Sequence, residues 1–157
     1  MTLHNPFTCR VCLGFIAAAL LVMTAFLSVG CTGPEVDLSA PRFAESAPRP
    51  GQDTAMFVAL WEAGLDVTKP PRVVWIEDAE CLNDWPQMPD PEGTCVEAAN
   101  YYDEVIVVTV RPGETFRTFS LAQRFAHEVT HARWDGHPPW FMPTVDRAAK
   151  AIVGFAP

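Results

Sequence analysis

The feature that most limits what this chain can fold into is an apolar run, Val11–Gly30, which reads VCLGFIAAALLVMTAFLSVG. It carries no charge, and a run of about 20 such residues is long enough to cross a bilayer. Ahead of residue 31, Arg10 is the only Lys, Arg, Asp or Glu. A short polar start with one Arg, an apolar run and then small residues form the pattern of an export signal, which takes no part in a fold. The fold must therefore be built from residues beyond Gly30.

The end of this run, Leu27-Ser28-Val29-Gly30-Cys31, resembles a bacterial lipobox. That resemblance implies cleavage before Cys31, a lipid on Cys31 and a mature protein attached to the cell envelope. Thr32, rather than Asp, after the cysteine favours the outer membrane. The competing reading is an uncleaved membrane anchor. Both readings place the remainder outside the cytoplasm and beside a membrane. The expected organisation is a signal peptide over 1–30, a lipidated flexible tether over 31–52 and a folded domain over 53–157. The tether expectation rests on TGPEVDLSAPRFAESAPRPGQ (Thr32–Gln52), which is rich in Pro, Ala and Ser and has no period.

Cysteine use agrees with export. Cys9 and Cys12 sit at the edge of the signal and leave with it, and Cys31 is taken by the lipid. Cys81 and Cys95 remain, and in an oxidising compartment such a pair is expected to form a disulfide. The alternative, two thiolate metal ligands, has no His or further Cys nearby in sequence to support it. The net charge of −8 argues against nucleic acid as a partner, since nothing would neutralise phosphates. It argues equally against electrostatic docking on anionic lipid.

The expected fold class is α+β, with a short β-sheet, a site-bearing helix and one disulfide. Asp53–Gly64 (DTAMFVALWEAG) predicts a helix capped by Asp53 and ended by Gly64, with Met56, Leu60 and Trp61 sharing a face with Phe57. Arg72–Ile76 (RVVWI) predicts a strand. Glu77–Asn100, rich in Asp, Pro and Asn, reads as an irregular acidic loop held by Cys81–Cys95. Glu104–Val110 (EVIVVTV) predicts the clearest strand, stopped by Pro112-Gly113. Ser120 with Gln123 fits a capping box for a helix over Leu121–Trp134. A last helix is expected over Val145–Val153.

Three of the chain's four histidines fall within one eleven-residue run, His127-Glu128-Val129-Thr130-His131-Ala132-Arg133-Trp134-Asp135-Gly136-His137. On a helix, residues i and i+4 lie about 40° apart and one above the other. His127 and His131 can therefore reach one metal ion, with Glu128 beside a water on it. Leu121, Ala122, Phe125, Val129 and Ala132 form the opposite, core-facing stripe. Arg124 shares the histidine face; it and Arg133 read as ordinary solvated charges, Arg133 more firmly so. Tyr101 and Tyr102 read as packing residues.

The run resembles the H-E-x-x-H helix of the zincin metallopeptidases, and His137 stands where the metzincin branch, H-E-x-x-H-x-x-G-x-x-H, places its third ligand. The resemblance implies Zn2+ on His127, His131 and His137, with Glu128 as catalytic base. It implies hydrolysis of a peptide or protein substrate laid against the exposed edge of Glu104–Val110. Asp135 and Asp146 are the alternative third ligands. The sequence departs from the family at Trp134, where metzincins place a Gly to turn sharply; Gly136 is the residue left to supply that turn. A zinc-binding envelope module without activity, and a cell-wall peptide amidase using the same site, are the competing functional readings.

Overall fold

β-Branched residues fill Val105–Val110, and all six are buried, so this strand must be covered on both faces and both edges. The computed structural model shows how; it describes residues 36–82, 85 and 95–156. The apolar run Val11–Gly30 and Cys31 lie outside the described residues, and among those described no helix is long and apolar enough to cross a membrane. The elements are α1 (Gln52–Ala63), β1 (Arg72–Glu77), β2 (Ala98–Tyr101), β3 (Val105–Val110), α2 (Phe119–His131) and α3 (Phe141–Phe155). The expected α+β class is what is found: three α-helices and one mixed three-stranded sheet among the described residues, with the disulfide Cys81–Cys95 in place.

The sheet order is β1-β3-β2. β1 runs parallel to β3, pairing Arg72 with Val105 and Glu77 with Val110. β2 runs antiparallel, pairing Ala98 with Val108 and Tyr101 with Val105. The expected substrate edge is therefore corrected: both edges of β3 are occupied, and β1 and β2 are the edge strands. The first three residues of β2, Ala98–Asn100, fall inside the segment read as loop. The sequence of β2, AANY, has little strand propensity, and pairing with β3 makes it a strand.

Side chains alternate along β3 to build two cores. Ile106, Val108 and Val110 face the helices with Val73 and Trp75. There Trp75 stacks on Phe125 at 5.8 Å and meets Phe116 edge-on at 5.9 Å. Val105 and Val107 face the other way, with Val74, Ala99, Tyr101 and Leu82.

That second face is covered by the segment expected to be a flexible tether. Phe43, in a 3-10 turn over Pro41–Phe43, is 1% exposed and meets Tyr101 and Trp85 edge-on at 5.0 and 5.4 Å. Arg72 donates to the carbonyls of Phe43 and Leu38, and the Ser46 amide donates to Val73 O at 3.0 Å. The tether reading is thus corrected for residues 36–51, which form a strap docked on the sheet, because the burial of one Phe outweighs a linker-like composition.

The helix ends also differ from expectation. α1 begins after Gly51 (φ 82°) and not on an Asp53 cap, and Gly64 (φ 67°) ends it as expected. Met56 and Leu60 are buried, whereas Phe57 and Trp61 stack at 6.2 Å on the outer side. α2 stops at His131, about one turn short of Trp134. Ser120 and Gln123 form no capping box: Ser120 donates to Glu114 at 2.6 Å and Gln123 to Asp146 at 2.8 Å. α3 begins at Phe141, four residues before Val145.

Candidate metal centre

The amphipathic pattern of α2 buries Leu121, Ala122, Phe125 and Val129, which turns His127 and His131 towards the opposite side. Their Nε2 atoms lie 3.1 Å apart. The chain leaves α2, passes Trp134 and returns His137, whose Nε2 is 3.2 Å from that of His127. All three donors fit within 4.8 Å of one another, and this cluster could hold a metal ion. The separations suit three imidazoles at the corners of a tetrahedron, which stand roughly 3.3 Å apart when each is about 2.0–2.1 Å from a central ion. Neither Asp135 nor Asp146 joins the cluster among the described residues; Asp146 is engaged by Gln123.

Phe141, at the first residue of α3, is fully buried beneath this cluster. Its ring lies 4.9, 4.7 and 4.6 Å from those of His127, His131 and His137. One aromatic side chain thus packs against all three candidate ligands. Burial pushes the His127 imidazole down to about 4, helped by its His neighbours, so it is neutral at pH 7 and able to bind a metal. Burial also lowers His131, against the raising effect of the Trp134 contact.

Glu128 is 7% exposed, and its Oε1 lies 4.0 Å from His127 Nε2. Burial raises its carboxyl to about 8. A cation at the cluster would act in the opposite direction and favour the carboxylate. His127 and Glu128 open onto a cleft of about 330 Å³, walled also by Cys95, Glu97, Ala98, Gln123, Arg124 and Met142. One residue of the disulfide, Cys95, therefore lines the cleft.

Both arginines read as solvated charges have structural work instead. Arg124 is 10% exposed and binds Glu97, Glu114 and the carbonyl of Thr109, tying α2 to β3 and to the loop beyond it. Arg133 donates to the carbonyls of Ala63 and Gly64, which the end of α1 leaves open. Its guanidinium covers the Trp134 ring at 4.8 Å, and Trp134 packs on Phe141 at 6.3 Å. This explains the departure at Trp134. Neither Trp134 nor Gly136 adopts a positive φ, so the chain turns without a left-handed residue, and the indole is wedged between Arg133 and Phe141.

No protein-family model, curated protein or solved structure matches this chain. The functional reading therefore rests on the site alone.

Proposed function

We propose that this protein is a zinc-dependent hydrolase of peptide bonds, similar in its site to the zincins and lipid-anchored in the bacterial envelope through Cys31. One observation carries the reading: His127, His131 and His137 converge within 4.8 Å, the Glu128 carboxyl oxygen stands 4.0 Å from His127 Nε2, and His127 and Glu128 line a cleft. Three imidazole donors with no fourth protein ligand among the described residues suit a catalytic zinc site, whereas structural sites are closed by four.

Zinc bound there supplies Lewis acidity to the attacking water and to the scissile carbonyl. Glu128 accepts the proton of that water as it attacks and passes it to the leaving amine. Its burial keeps bulk water from competing for that proton, and His127 and His131, neutral at pH 7, remain donors to the ion. An extended substrate adds as a further strand beside Ala98–Tyr101, the sheet edge next to the cleft.

The test is zinc per chain, together with turnover of a quenched fluorescent peptide mixture, for the protein from Thr32 onwards and two variants. Near one zinc in the wild type, loss of zinc in His137→Ala, and retained zinc with turnover reduced at least about 100-fold in Glu128→Gln are the expected results. Zinc without hydrolysis in the wild type would replace the enzyme with a zinc-binding module. Cleavage of cell-wall peptides alone would narrow it to an amidase.

A further inference from the structure

The last turn of a helix leaves carbonyls without an amide four residues on. In α2, which ends at His131, the Glu128 carbonyl is one of these: the amide of Ala132, its natural partner, donates instead to Val129 O at 3.2 Å. The partner Glu128 does have comes from β2. The side-chain amide of Asn100 donates to Glu128 O at 2.8 Å. The same side chain accepts the Asp103 amide at 3.0 Å through its Oδ1. Both partners fix the orientation of the Asn100 amide, since a carbonyl only accepts and a backbone N–H only donates.

The Asp103 contact matters because Tyr102 and Asp103 both have left-handed backbones, at φ 54° and 62°. Non-glycine residues pay a steric cost there, and the Asn100 carbonyl holds the turn closed. Asn100 also sits two residues beyond Ala98, which walls the cleft. One side chain thus joins three things: the edge strand, the strained β2–β3 turn and the backbone of the residue that carries the carboxylate.

We propose that Asn100 is a positioning residue, which sets Glu128 against the metal cluster by tying its carbonyl to the edge strand beside which substrate lies. This rests on the hydrolase reading for its catalytic consequence, and on geometry alone for the tie. A shift of about 1 Å in a reacting group is enough to lower a rate on the order of 100-fold. Asn100 would thus keep the base and the substrate strand in one frame.

Asn100→Asp separates the two contacts, because it keeps an acceptor for Asp103 and loses the donor to Glu128. The expected result in the zinc-loaded protein is zinc content near one per chain, unchanged KM for the fluorescent peptides and kcat lower by at least about tenfold. Amides of Thr130, His131 and Ala132 should exchange with solvent faster than in the wild type. Unchanged kcat in an active protein, a loss carried wholly by KM, or unchanged exchange in this turn would each overturn the proposal. If the wild type hydrolyses nothing, the hydrolase reading fails by itself and the exchange measurement still decides the tie. Should Asn100→Asp not fold, Asn100→Ser, too short to reach Glu128, gives the same comparison.

Discussion

The Nδ1 atom of His131 lies 3.0 Å from the carbonyl oxygen of Trp134. A carbonyl only accepts, so Nδ1 carries the proton and Nε2 presents its lone pair to the cluster. The backbone just past α2 thus fixes the tautomer of a candidate ligand. The Trp134 indole holds that backbone by its contacts with Arg133 and Phe141. Partners of this kind typically contribute 10–100-fold to metal affinity. Trp134→Gly, which restores the residue of the metzincin pattern, is expected to weaken zinc binding by at least about tenfold, as read by competition with a chelator. Trp134→Phe should lose less. Equal affinities in all three proteins would remove the indole from this role.

The docked strap has a measurable consequence. Phe43→Ala deletes a fully buried ring from the second core. It is expected to cost about 3–5 kcal/mol and to lower Tm by at least about 12 °C. A protein begun at Asp53 should fare worse, since it exposes Val74, Val105 and Val107 together. Thermal unfolding of both against the protein begun at Thr32 checks this, and full stability of the shorter form would show that the strap is dispensable.

Acid sensitivity should trace partly to Glu114. Burial alone would raise its carboxyl, but hydrogen bonds from the Ser120 hydroxyl, the Arg111 amide and Arg124, with the Arg124 charge, outweigh that and hold it below the usual value. A carboxylate with a lowered folded pKa adds stability that is present above about pH 4.5 and is lost as pH falls through the folded value. Urea midpoints measured from pH 6 downward should therefore fall more steeply in the wild type than in Glu114→Gln. The variant should be the less stable of the two near pH 6, where Arg124 loses a charged partner. Parallel curves would rule Glu114 out as an acid trigger.

Reducing Cys81–Cys95 releases a loop closed at a sequence separation of 14. The expected cost is about 3 kcal/mol, seen as a lower Tm in the presence of a dithiol. Cys95 walls the cleft and Glu97 is clasped by Arg111 and Arg124, so peptide turnover should respond to the same treatment. A Cys81→Ser, Cys95→Ser protein with wild-type Tm would refute the stabilising role.

The parts of the site that lie close together in sequence were readable in advance. His127, Glu128 and His131 share one helix, where spacing alone sets their directions, and His137 comes after a short return. Asn100 was not readable, because its partner Glu128 is 28 residues away and nothing local marks the contact. Phe141 and Trp134 were visible as residues, but their place beside the histidines depends on how α3 packs against α2. In the fold, β3 announced itself through its branched side chains. AANY became a strand only by pairing with β3, and the strap looked like linker because a single Phe carries its burial. Local pattern revealed the candidate ligands; tertiary packing supplied what surrounds them.

The strap changes the reach of the molecule. With residues 36–51 spent on the sheet, residues 32–35 are all that is left of the expected tether after Cys31. Fully extended, that span is at most about 18 Å. A lipid at Cys31, as proposed, would act as a short leash.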